Sequence, residues 1–365
     1  MLSTDPESRS LRLLSRAPML AWDPVKIGAV LLLVLLVHGV EQWGSNLWFV
    51  RPTFTENGLQ VLTMVRGGEL GTFSGTKFGW NPVSAPLLDL VIPQPAVGNI
   101  VYILIRLVLR MIVWGGVFIL ISRSVVDQLE GKTGRAALIP AATGALKRCL
   151  QTILGPVVLV LGILGLLFAN ILFGWFCAIP LLGKFVGGLL LIIPLLVAII
   201  AAVLMFVMIL GWPVMMAMAG IEDNDGIEIM KRTTGYLTSH PILFGAHVVL
   251  VSFTLGLIGY LLSLFAAVVH AAVVTPLAWG VGQKAAATTA GAPVNRPLVD
   301  AWSGNWAAQF WLSLPAYAVE AYLLVLFATA MTLVYLLIRK RVEGTAIPGD
   351  VIPTGKDPIP TAPAL

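Results

Sequence analysis

The sequence predicts an all-α fold, a polytopic bundle of about six transmembrane helices with short interfacial amphipathic helices. Three observations predict it. Hydrophobic residues make up 58% of the 365-residue chain and charged residues only 11%, against about 25% charged in an ordinary soluble domain. The mean hydropathy is +0.92. Six apolar runs reach the roughly 20 residues that a helix needs to cross a bilayer. Lys and Arg are distributed unequally between the segments that join those runs.

Residues 1–25 form a polar N-terminal segment containing Arg9, Arg12 and Arg16. The first apolar run then continues past Val40 into Glu41-Gln42-Trp43, as an uncleaved signal anchor does and a cleavable signal peptide does not. The bundle spans 26–343. Its first helix is expected at Lys26–Trp48. An outer loop at about 51–97 follows, rich in glycine and proline and therefore in turns. The remaining spans are expected at Asn99–Ser122, Leu150–Phe176, Phe185–Met218, Ile242–Val274 and Ala307–Ile338. The last three exceed a bilayer's thickness, which implies tilt, kinks or protruding ends. Pro194 and Pro213 are the expected kink sites, since each lacks a backbone donor. One of these long runs folding back as two shorter segments is the alternative. Ser122–Leu150 and Asp225–Leu237 interleave apolar and charged residues, as amphipathic helices at the inner interface do. In the second, Asp225 and Glu228 have capping-box spacing, and Ile227, Met230 and Leu237 fall near one face. The proline-rich tail 344–365 has the composition of a disordered segment.

Orientation follows from basic residues. With both termini in the cytoplasm, fifteen Lys and Arg face inward and six outward, as the positive-inside rule requires. Trp43, Trp48, Trp175, Trp279, Trp306 and Trp311 then fall near outer helix ends, where an interfacial aromatic belt sits. The net charge of +5 belongs to this asymmetry. Basic residues form no long stripe, so nucleic acid is not an expected partner. The expected partners are the lipid bilayer and a membrane protein or a second copy of the chain. Cys149 and Cys177 lie about 42 Å apart along one helix at ~1.5 Å per residue, too far for a disulfide.

Several motifs carry a resemblance. Gly211-Trp212-Pro213 is followed by Ile221-Glu222-Asp223-Asn224-Asp225-Gly226, by Lys231-Arg232-Thr233-Thr234-Gly235-Tyr236 and by Ser239-His240-Pro241. The last span ends in Val334-Tyr335-Leu336-Leu337-Ile338-Arg339-Lys340-Arg341-Val342-Glu343-Gly344-Thr345. From Asn99 to Thr345 the chain resembles a group of multi-spanning bacterial membrane proteins common in planctomycetes. It departs from that group at Lys231-Arg232-Thr233-Thr234, where a Ser-Arg-Ser-Tyr pattern is usual. The resemblance implies a topology and a bacterial inner membrane, and no activity.

No nucleophile elbow, phosphate loop or zinc-protease motif occurs, and no catalytic residue, metal or cofactor is expected. The acidic turn fails as an EF-hand, because Arg232 stands where a bidentate Glu is needed, and reads as a helix cap. Gly183–Gly187 has GxxxG spacing, while Gly162, Gly165, Gly256 and Gly259 are expected to permit close helix packing. The candidate site is an intramembrane polar cluster of Arg106, Arg110, Glu320, Glu41, His38 and His270, since ionisable groups within spans are costly. One reading is structural, with Arg106 and Arg110 paired with Glu320 or reaching to headgroups. The other is a pocket that binds an anion or relays protons. The leading functional expectation is a non-enzymatic scaffold or accessory component. The alternatives are a small-solute or ion transporter using Arg106, Arg110 and Glu320, and a membrane enzyme acting on lipid.

Overall fold

The computed structural model describes residues 13–47, 97–131, 138–179, 190–222, 224–280, 306–345 and 347. Every regular element among them is an α-helix. In chain order these are α1 (Ala17–Ala21), α2 (Pro24–Leu47), α3 (Val97–Leu129), α4 (Leu138–Thr152), α5 (Leu154–Cys177), α6 (Ile192–Ile221), α7 (Gly226–Ser239), α8 (Pro241–Gly280) and α9 (Trp306–Glu343). Five described helices are long and apolar enough to cross a membrane. The count is six if α1 and α2, which meet at a 70° bend and pass the same criterion only together, are taken as one span. Asp23 caps α2 at that bend by accepting a hydrogen bond from the Val25 amide at 3.0 Å, and Pro24 occupies the first helical position, where its missing donor costs nothing. The outer loop at 51–97 lies outside the described residues except at its last position, and the tail lies outside them beyond 347.

The fifth and sixth runs are single helices, while residues 185–189 of the fourth lie outside the described residues and its helix begins at Ile192. α8 has 40 residues and α9 has 38, or about 60 and 57 Å at ~1.5 Å per residue, so both outreach a ~30 Å hydrocarbon core. No described run folds back on itself. Pro194 is the third residue of α6, in a first turn whose amides lack intrahelical partners anyway, so it ends no helix. Pro213 is buried inside α6, and the helix continues through it to Ile221.

The helices differ sharply in burial. The apolar stretch of α9 is 94% buried, whereas those of α5, α6 and α8 are 17% buried. α9 is therefore the central pillar, with α1, α2, α3, α6 and α8 packed around it. The outward faces of the others carry Leu161 and Phe168 on α5, Phe206 on α6, and Phe253 and Phe265 on α8. Trp175 and Trp311 are 66% exposed, while the side chains of Trp43, Trp48, Trp279 and Trp306 lie outside the described residues. The N-terminal segment is less separate than its polarity suggests, since Leu14, Ala17 and Ala21 join the hydrophobic core. Tyr322 of α9 stacks edge-on against Trp22 with ring centroids 5.6 Å apart.

The two amphipathic segments turn one face to protein. The end of the Ser122–Leu150 segment is α4, which runs into α5 with only Ile153 between them and buries Ala145, Cys149 and Thr152. α7 buries Gly226, Ile229, Thr233 and Tyr236. Ile227 is instead exposed, so the stripe is turned from the expected Ile227–Met230–Leu237 face, of which Met230 and Leu237 are partly buried. Asp225 holds the N-cap position of α7, yet its side chain makes no cap bond. Glu228 does not reach back either; it pairs forward with Arg232 at 2.8 Å. The expected capping box is therefore absent, and what holds the start of α7 is backbone contact. A Cβ on Gly226 would lie 2.7 Å from the Thr152 carbonyl oxygen, and one on Gly155 would lie 2.5 Å from the Gly226 oxygen.

Close approach thus falls at glycines other than those the spacing suggested. A Cβ on Gly162 would meet only Leu204 at 3.8 Å, and Gly165 and Gly256 face open space. Those three lie where helices face outward, while Gly155, Gly220 and Gly226 lie where helix ends converge. Gly259 is buried, and Gly183–Gly187 falls outside the described residues. Gly155→Ala is expected to cost about 1–3 kcal/mol by overpacking against backbone that cannot rotate away. Gly165→Ala should be neutral or slightly stabilising. Unfolding midpoints in mixed detergent check both.

Candidate functional site

The candidate intramembrane residues divide. His38 on α2 meets Glu320 on α9, its Nε2 lying 3.0 and 3.2 Å from the two carboxylate oxygens. The Tyr317 ring, one turn before Glu320, lies 5.2 Å from the imidazole. Side chains of His38 and Glu320 are 31% and 21% exposed. Arg106 and Arg110 are half-buried on α3. Glu41 and His270 lie on helical residues whose side chains fall outside those described.

A second constellation joins α6, α7 and α9. Its centre is Glu222, one residue beyond the end of α6, with a carboxylate only 10% exposed. One oxygen accepts from the Tyr335 hydroxyl and lies 3.2 Å from Arg339 Nε. The other accepts from Asn224 Nδ2 at 2.6 Å and from Arg232 at 3.2 Å. Arg232 continues to Glu228. Arg339 continues to Glu343 at 3.3 Å, and Glu343 accepts from the Tyr236 hydroxyl. Every carboxylate here is thus held by at least one cation or hydroxyl. For Tyr236, burial first and then its bond to Glu343 push the phenol above its ordinary pKa, so it remains a donor throughout the neutral range.

Helix ends converge on this constellation. Ser122, two turns before the end of α3, shares a hydrogen bond of 2.8 Å with Thr332 of α9. Arg148 of α4 points to the Ala219 carbonyl oxygen of α6 at 3.5 Å. A Cβ on Gly220 would lie 2.7 Å from the Ile119 oxygen. The ends of α3, α6 and α9 and the starts of α5 and α7 therefore lie on one side of the bundle. The Cys149 thiol donates to the Ile112 carbonyl at 3.4 Å, and Cys149 and Cys177 are both free. Among the described residues no three His, Cys, Asp or Glu side chains are grouped as a metal would require.

Reading the sequence for intramembrane charge missed the Glu222 constellation, because its members lie at helix ends in three separate segments. A signal was present. Glu222, Asn224, Arg232, Tyr236, Tyr335, Arg339 and Glu343 all fall within three of the runs quoted for the resemblance. No protein-family model, curated protein or solved structure matches the chain.

Proposed function

We infer that the chain is a non-enzymatic scaffold or accessory component of the bacterial inner membrane, with both termini in the cytoplasm. The observation that carries this reading is the closed character of the Glu222 constellation. Its carboxylates and cations are spent on one another across three helices, which suits a brace better than a site that must exchange partners. The brace fixes one end of α9, and the bundle turns the apolar faces of α5, α6 and α8 outward, toward lipid or the helices of a partner. The orientation is supported by the basic residues near that end, among them Arg123, Lys147 and Arg148, Lys231, and Lys340 and Arg341. The planctomycete group that the motifs resemble is consistent with this location.

Extraction in mild detergent, followed by affinity purification and mass determination, tests the scaffold reading. The expected result is reproducible recovery with a stoichiometric membrane partner or a second copy. Recovery of a lone monomer under every mild condition would overturn it. A second reading, a small-solute or ion transporter using Arg106, Arg110 and Glu320, draws on the partial exposure of Glu320 and its His38 partner. Replacing Arg106 and Glu320 with Leu would then abolish flux into liposomes, and unchanged flux would remove this reading.

A further inference from the structure

The Glu222 constellation engages only some of the cations at its end of the bundle. Arg232 and Arg339 are held by Glu222, Glu228 and Glu343. Lys147 on α4 and Lys231 on α7 are exposed, and neither forms an ion pair among the described residues. Both border one exposed apolar strip. α4 and α5 run end to end, because Ile153 between them is itself helical in conformation. Lys147, Leu150, Leu154 and Val158 recur along this line at three- or four-residue spacing, so they share one side of it. All four are exposed.

The start of α7 lies against the middle of this line. A Cβ on Gly155 would lie 3.2 Å from Met230 Cβ as well as 2.5 Å from the Gly226 oxygen. Ile227 and Lys231, one turn apart, take the exposed side of α7 beside that contact. Glu228, the acid next to Ile227, is engaged by Arg232 at 2.8 Å. Exposed apolar side chains flanked by lysines suit a helix at a membrane interface, its apolar side among acyl chains and its ammonium groups among headgroups. An ammonium group left without a protein carboxylate there attracts anionic headgroups. A zwitterionic headgroup is a poorer partner, since it brings its own cation beside the phosphate.

We propose that Lys147, Leu150, Leu154, Val158, Ile227 and Lys231 form a docking surface for anionic phospholipid. The headgroup phosphate lies at the lysines, and an acyl chain lies along the apolar side chains. Charge supplies the selectivity and the apolar strip supplies the preference for a lipid over a soluble phosphate. The surface belongs to the Glu222 end of the bundle whichever way the bundle faces across the membrane. The scaffold reading concerns protein partners, makes no use of this surface and stands or falls separately.

The test is native mass spectrometry on the full-length protein in mild detergent, titrated with dioleoyl phosphatidylglycerol or with dioleoyl phosphatidylcholine. The two lipids share their acyl chains and differ in net charge. The expected result is tighter binding of the phosphatidylglycerol by about tenfold or more, from roughly fivefold for each lysine. The K147Q/K231Q variant, whose changes are confined to exposed side chains, should bind both lipids within about twofold of each other, and K147R/K231R should keep the native preference. Equal binding of the two lipids by the native protein would overturn the proposal, as would an undiminished preference in K147Q/K231Q. Glycerol 3-phosphate, which carries the charge without the acyl chains, should fail to displace the lipid at equal concentration. Displacement by it would show a site for soluble phosphate and overturn the lipid assignment.

Discussion

Glu222→Ala is expected to destabilise the folded bundle by about 3 kcal/mol, the low end of the range for breaking a buried ion pair. The low end applies because Arg232 is 39% exposed and water takes over part of its solvation when its partner leaves. Arg339 and Tyr335 fare worse. Tyr335 is buried and loses the acceptor for its hydroxyl, while Arg339 keeps Glu343 alone of its two carboxylate partners among the described residues. Glu228→Ala supplies the control, since it removes an i, i+4 partner that is 49% exposed, a loss worth about 0.2–1 kcal/mol. Unfolding midpoints in mixed detergent compare the two. Equal losses from both substitutions would remove the case for Glu222 as the centre of a brace. A Glu222/Arg339 double-mutant cycle then isolates the pair, because both singles disturb the same constellation and their effects should not add.

Much of the architecture is written in local composition, and that part is found in the structure. Spans, their order and their excess length follow from runs of apolar residues, which a bilayer selects directly. The parts that were misread depend on which neighbour a helix meets. Pro194 looked as apt a kink site as Pro213, but Pro194 lies in the first turn of α6, whereas Pro213 lies inside the helix. The α7 stripe was placed on Ile227 because period alone does not say which of two adjacent stripes protein will cover. Capping-box spacing at Asp225 and Glu228 was outcompeted by Arg232, which offers Glu228 a full charge one turn later. The Glu222 constellation illustrates the limit most clearly. Its contacts of Arg339 and Tyr335 with Glu222, and of Tyr236 with Glu343, join residues more than a hundred positions apart, and a reading that searched within spans for costly charges passed over charges at span ends. The His38 and Glu320 candidates were found by that search, because a charge amid apolar residues is conspicuous without any knowledge of contacts. That they touch one another was not legible.

The second large effect is expected in the core at Trp212, where Trp212→Ala should cost about 3 kcal/mol or more. The residue is fully buried on α6, and its ring lies 5.1 Å from Phe118 on α3, which in turn meets Phe327 on α9 edge-on at 5.5 Å. This aromatic chain ties three helices at one level. In a membrane the loss is mainly of packing, since lipid tails solvate an apolar side chain as well as the protein interior does. Trp212→Phe separates volume from polarity. The indole Nε1 is buried without a hydrogen-bond partner among the described residues, so replacing it with carbon removes a buried unsatisfied donor. The phenyl ring keeps most of the contact with Phe118. Trp212→Phe should therefore stay within about 1 kcal/mol of the native protein, and the gap between the two variants measures the aromatic chain's packing. A Phe variant as unstable as the Ala variant would show that Nε1 does hold a partner in the folded protein, such as a buried water, and that the level of Trp212 is braced by polar contact as well as by fit.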